Sequence, residues 1–193
     1  MRNVLSVLLI VLMFALSAPA IDHGLSAPPR TAAEGPLLLA ANDNNKAPDF
    51  TLRSLRGKEY TLSGLEGKVV LVNFWSSSCM PCIMEMPGFN KLYKKMDGRP
   101  FEILALTSDP RSMVENAVED MELLFPVLLD PSGEAARKYS AYNVPITYII
   151  APDGTVDNKV MGAVNWGDPS VVDYINKLLE EHKNGEEKKD PEK

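Results

Sequence analysis

Lys68-Val69-Val70-Leu71-Val72-Asn73-Phe74-Trp75-Ser76-Ser77-Ser78-Cys79-Met80-Pro81-Cys82 runs a short, β-branched apolar segment straight into a Cys-x-x-Cys pair. Lys68 to Trp75 has the unbroken apolarity of a strand covered on both faces, which places it at the centre of a sheet. From Cys82 onward the apolar residues fall at Met86, Phe89, Tyr93 and Met96, a spacing that lines one face of a helix. Phe101 to Thr107 is the next strand candidate, so strand, helix and strand read as one βαβ unit.

Further along, Asp109-Pro110, Asp130-Pro131 and Asp168-Pro169 each set an acceptor side chain before a proline whose missing N–H costs nothing in a first helical turn. Each pair predicts a helix start. The first is followed by Val114, Ala117, Val118 and Met121 on one face, the last by Val171, Val172, Ile175, Leu178 and Leu179. Val127 to Leu129 reads as a short strand. Pro145 to Ile150 and Thr155 to Met161 read as two strands joined by the turn Pro152-Asp153-Gly154, which makes them antiparallel. The expected fold class is an α/β sandwich with a mixed central sheet and helices on both faces.

The ends of the chain differ from this middle. Arg2, the uncharged run Leu5 to Leu16 and the small-residue stretch Ala18-Pro19-Ala20 read as an export signal over residues 1–20. A cleaved signal peptide is preferred to an uncleaved anchor. The run turns small and proline-containing before the roughly 20 apolar residues that a spanning helix needs. The protein is therefore expected in the periplasm or another extracytoplasmic space. Residues 21–46, with Pro28, Pro29, Pro36 and the tract Asn42-Asp43-Asn44-Asn45, read as a flexible tether. Residues 47–183 form the folded domain, and 184–193 are expected to be a charged, disordered tail.

Composition excludes some functions. The 193 residues hold 20 Lys and Arg against 26 Asp and Glu, a formal charge of −6, so no basic face for nucleic acid is expected. Two cysteines rule out a disulfide-rich scaffold, and two histidines, His23 and His182, lie too far out in the sequence to complete a zinc knuckle with them.

The chemistry sits where the apolar strand meets the helix. There the Cys79 sulfur lies near unpaired N-terminal amides and the positive end of the helix dipole, which favour thiolate over thiol. Cys79 is the expected nucleophile. Cys82, one helical turn on, can attack a mixed disulfide at Cys79 and release the reduced substrate, so it is the expected resolving residue. Two sulfurs suffice for that cycle, and neither cofactor nor metal is called for. A structural disulfide competes with this reading, but a loop this short restrains little of the unfolded chain.

Ala47-Pro48-Asp49-Phe50, Gly67 to Trp75, Cys79-Met80-Pro81-Cys82, Glu85-Met86-Pro87, Val144-Pro145-Ile146-Thr147 and the late Gly162 and Trp166 together resemble the thioredoxin-fold, TlpA/ResA-type thiol–disulfide oxidoreductases. The likeness runs from about Ala47 to Leu179. It implies a thioredoxin-like sandwich with an extra αβ segment, Asp109 to Tyr139 here, before the strand that begins at Pro145. It implies that Pro145 is a cis-proline facing the cysteines, where residue-level reasoning alone favours an ordinary trans proline opening an edge strand. It implies that Glu85 tunes the thiols. A solvated helix-surface glutamate is the plainer alternative. Val144, Met80 and Pro81 are expected to meet an extended substrate. Trp75 is expected to pack beneath the active-site loop and is counted with them along the substrate's path.

Two residues depart from relatives. Ser78 stands where many have a second tryptophan, and Asn73 stands where cytoplasmic thioredoxins have a buried aspartate and cannot accept a proton as a carboxylate does. The resemblance further implies a reductant of protein disulfides, serving cytochrome c maturation or copper-centre assembly, with apocytochrome c or a copper-site protein as partner and a membrane electron donor. The uncharged Met80-Pro81 dipeptide agrees with a reductant, because a strong oxidant must stabilise its thiolate heavily. The alternative is a Cu(I)-binding chaperone using Cys79, Cys82 and the nearby Met80, Met84 and Met86, all soft ligands. A peroxidase is disfavoured because Cys79-Met80-Pro81-Cys82 does not resemble the Thr-x-x-Cys context of peroxiredoxins.

Overall fold

Val69–Phe74 forms β3, and every one of its residues is buried. The computed structural model describes residues 46–189, with side chains to residue 185. The export signal, all of the tether except Lys46, and residues 190–193 lie outside the described residues.

Beside β3 run β4, Phe101–Thr107, in parallel and β6, Ile146–Ile150, in antiparallel orientation. With β1 (Thr51–Ser54), β2 (Glu59–Thr61), β5 (Val127–Leu129) and β7 (Val156–Met161) they make a seven-stranded mixed sheet of order β2-β1-β5-β4-β3-β6-β7. The helix α1, Met80–Lys95, carries the chain from β3 to β4. Arg111–Asp120 is α2, Glu134–Lys138 is α3 and Pro169–Lys189 is α4.

Successive strand residues point to opposite faces, so an all-apolar strand feeds two cores at once. Val69 and Leu71 join Met86, Phe89 and Leu92 of α1, Val114 of α2 and Ile175, Leu178 and Leu179 of α4. Val70, Val72 and Phe74 join Leu104, Leu106, Tyr139 and Tyr148 on the other face, with Ala135 of α3. The expected helical stripe of α1 is buried at Cys82, Met86, Phe89 and Met96, with Leu92 added and Tyr93 at its margin.

The helix starts need correction. Asp168 caps as expected, its Oδ1 accepting from the Ser170 N–H at 2.9 Å, and α4 begins at Pro169. At the first pair, however, Pro110 occupies the cap position and no side chain caps α2, because Asp109 turns back toward the loop after β3. At the second, α3 begins at Glu134, after Gly133 in the left-handed region with φ 64°. Asp130 reaches forward to accept from the Glu134 and Ala136 N–H groups at 3.0 Å each, so it still satisfies the first amides of that helix.

The carboxy-terminal expectation also changes. Residues 184–189 continue α4 rather than starting a disordered tail. Glu and Lys are good helix formers, and Gly185 alone costs roughly 1 kcal/mol, too little to stop an established helix. Strands β1 and β2 have no counterpart in the sequence reading. They are short strands, β2 at the edge of the sheet and β1 between it and β5, with only Ser54 buried, so they show no two-residue apolar period.

Candidate active site

Cys79 is the N-cap residue of α1, in extended conformation, and its Sγ accepts from the Cys82 N–H at 3.3 Å. That bond uses one of the free amides at a helix start, and the dipole adds to it. Both favour negative charge on this sulfur. Cys79 and Cys82 are joined as a disulfide. Cys82 has 0% exposure, whereas Cys79 is half-buried, so a nucleophile arriving from solvent can reach only the first sulfur.

The loop before Cys79 is held by a carboxylate from β4's far end. Asp109 Oδ2 accepts from the Ser77 N–H at 2.6 Å, the Ser77 hydroxyl at 2.8 Å and the Ser76 hydroxyl at 3.0 Å. Partial burial pushes the Asp109 carboxyl up, but these donors outweigh it and hold it below its ordinary value. The Cys79 N–H donates to the Ser76 carbonyl at 3.1 Å, closing the turn.

Across from the disulfide the Val144–Pro145 peptide bond is cis. The Val144 carbonyl oxygen lies 3.7 Å from Cys79 Sγ, and the Pro145 carbonyl accepts from the Gly162 N–H at 2.9 Å. Val144, beside the sulfur, and Met80 and Pro81, which follow it, are exposed. Trp75 is not among them. It is 2% exposed within the core that α1 covers, so it presents no surface to a partner and its expected place on the substrate's path is corrected to packing alone.

Glu85 is 3% exposed, which removes the solvated-surface alternative. Its Oε1 accepts from Asn73 Nδ2 at 3.0 Å and its Oε2 from Trp166 Nε1 at 3.0 Å. Asn73 Nδ2 also donates to Thr147 Oγ1 at 3.0 Å, linking α1, β3 and β6. The indole arrives because Gly88 has no side chain. A Cβ there would stand 3.2 Å from the backbone nitrogens of Trp166 and Gly167. Trp166 then stacks on Phe89 at 4.8 Å between centroids.

Burial raises the Glu85 carboxyl above its ordinary 4.5, against the hydrogen bonds from Trp166, Asn73 and the Val164 backbone. The folded protein therefore holds this proton more tightly than the unfolded chain does. The stabilisation that follows is complete below pH 4.5 and is lost as pH rises through the folded value. Urea midpoints of the wild type and Glu85→Gln, compared from about pH 4 to about pH 8, should show the wild type losing stability relative to the variant as pH rises. A relative gain would reverse the sign assigned to the burial.

The sequence reading missed Asp109 as a loop anchor and Thr147 as a network member, and it had Trp166 only through the resemblance. A short polar residue two positions past a strand end, opposite three serines, was the available signal for Asp109. Of the methionines, Met80 and Met84 are exposed, but Met86 is fully buried in the core, so the soft-ligand set is not assembled around the sulfurs. Among the described residues no cluster of His, Cys, Asp or Glu is arranged to hold a metal ion.

A mixed sheet with a dithiol at a helix head and a cis-proline opposite it defines a thioredoxin-like redox domain. The sequence profile of the AhpC/TSA family matches residues 44–159, and the chain belongs to that family. It is 38% identical over 118 residues to the thiol-disulfide oxidoreductase ResA of Bacillus thuringiensis subsp. konkukian, covering 61% of this chain and 68% of that one. ResA of Geobacillus kaustophilus is 37% identical over 119 residues with the same coverages. Among solved structures, a protein of Chlorobium tepidum described as a thiol:disulfide interchange protein DsbE superposes with a TM-score of 0.65 at 27% identity, over 72% of this chain and 99% of that chain. The chain is a thiol–disulfide oxidoreductase of the ResA/DsbE type with a Cys-x-x-Cys pair.

Proposed function

We propose that this chain is an exported reductant of protein disulfides, acting outside the cytoplasm through Cys79 as nucleophile and Cys82 as resolving thiol. The observation that carries the reading is the inequality of the two sulfurs, one reachable and accepting an N–H at a helix start, the other sealed. In the reduced state Cys79 thiolate attacks a substrate disulfide, forms a mixed disulfide and expels one substrate thiolate. Cys82 thiolate then attacks Cys79 Sγ, closes the ring and expels the second. Two electrons pass to the substrate. The product is the disulfide state described above.

Val144, Met80 and Pro81 border the groove that an extended cysteine-containing segment would enter, with the Val144 backbone beside Cys79 Sγ. Glu85, buried one helical turn beyond Cys82, sets the local charge against which the thiols ionise. Apocytochrome c or a copper-site protein supplies the substrate, and a membrane carrier returns electrons to the disulfide. Support for export comes from the amino-terminal pattern of residues 1–20. No helix of the described residues is long and apolar enough to cross a membrane.

Met80-Pro81 brings no charge to the thiolate, so its stabilisation rests on the helix start alone. Equilibration with glutathione should give a reduction potential well below the roughly −120 mV of a strong periplasmic oxidant. A value near that oxidant's would turn the proposed electron flow around.

A further inference from the structure

We propose that Asn73 is a proton-responsive positioning residue, its side-chain amide turning between two orientations according to whether Glu85 carries a proton. Asn73 is fully buried in β3. Its Nδ2 serves both Glu85 Oε1 and Thr147 Oγ1, while its Oδ1, equally buried, has no partner among the described residues. Every group around Glu85 is a donor: Asn73 from β3, and the Trp166 indole and Val164 amide from the segment leading into α4. No charged side chain among the described residues acts on it, and the cysteine one turn before it on α1, Cys82, is joined to Cys79 and uncharged.

Such a shell fits a carboxylate, which only accepts. A carboxylic acid must donate one O–H, and the unused acceptor at hand is Asn73 Oδ1. Turning the amide half a revolution brings Oδ1 to face both Glu85 and Thr147. The Glu85 O–H then donates to it, and the Thr147 hydroxyl, which rotates freely, donates as well. The described orientation leaves one acceptor unpartnered and the turned one leaves two N–H donors, so the amide turns only when the proton on Glu85 removes its acceptor and supplies a donor. Nothing here depends on the direction of electron flow.

The test is a pH titration of the isotope-labelled, oxidised full-length protein by NMR, following the Glu85 carboxyl carbon and the Asn73 side-chain amide. The two should change with one midpoint, and the contacts of the Asn73 amide protons to Thr147 should be lost on the acid side. In Trp166→Phe, which removes one donor from the carboxylate, both midpoints should move together to higher pH. Asn73 signals that stay constant while Glu85 titrates, midpoints that separate in the variant, or a Glu85 that never titrates would overturn the proposal. The wild-type titration decides it even if the variant does not fold.

Discussion

Cys79→Ser should remove disulfide reductase turnover, with a fall of at least about a thousandfold in a protein-disulfide assay, because a hydroxyl at this position is neither ionised nor nucleophilic near neutrality. The protein should still fold. Cys79 is half-buried at a helix start, and serine is itself a favoured N-cap residue, so the capping of the Cys82 N–H survives the exchange. Far-UV circular dichroism and the urea midpoint check that, leaving the lost activity to the sulfur alone. Retained turnover would mean that chemistry starts elsewhere than at the reachable sulfur.

The largest effect on stability is expected at Phe89. The ring is fully buried, stacks on Trp166 and meets Phe125 edge-on at 5.9 Å between centroids. Phe89→Ala removes that area and leaves a cavity between α1 and the Trp166 segment, costing about 3–5 kcal/mol. In urea the midpoint should fall with little change in slope. Trp166 loses its stacking surface too, so its hydrogen bond to Glu85 should loosen, the carboxyl should rise further above its ordinary value, and the pH dependence of stability should strengthen. A cost under about 1 kcal/mol would mean that the core closes over the gap.

The parts of this molecule that were legible beforehand are those governed by local pattern. The run Val69 to Phe74 is apolar at every position because both faces are covered, and no partner need be known to read that. The stripe on α1 and the hairpin around Pro152-Asp153-Gly154 are equally local. Capping was legible only where the acceptor stays next to its helix: Asp168 does, Asp130 reaches four and six residues ahead, and Asp109 leaves its helix for a serine loop more than thirty residues back. Nothing in a linear reading separates these three Asp-Pro pairs, since the difference lies in what tertiary structure brings alongside.

At the site the same division holds. The position of Cys79 at a helix start follows from strand and helix periods, but the burial of Glu85 does not. A glutamate in the second turn of a helix is ordinarily solvated, and here Gly88 admits a distant backbone whose Trp166 indole seals it. Trp75 misled in the opposite sense. An aromatic residue close to reactive cysteines invites a role in binding, yet it closes the end of an all-buried strand and faces inward.

The proposed division of tasks between the two sulfurs rests on their unequal access. Reduced Cys82→Ser, offered a protein disulfide, should hold its partner in a mixed disulfide through Cys79, and mass spectrometry of the digested adduct locates the linkage. A stable adduct at residue 79 is expected in that variant and none in Cys79→Ser. Accumulation in Cys79→Ser instead, linked through Cys82, would contradict it.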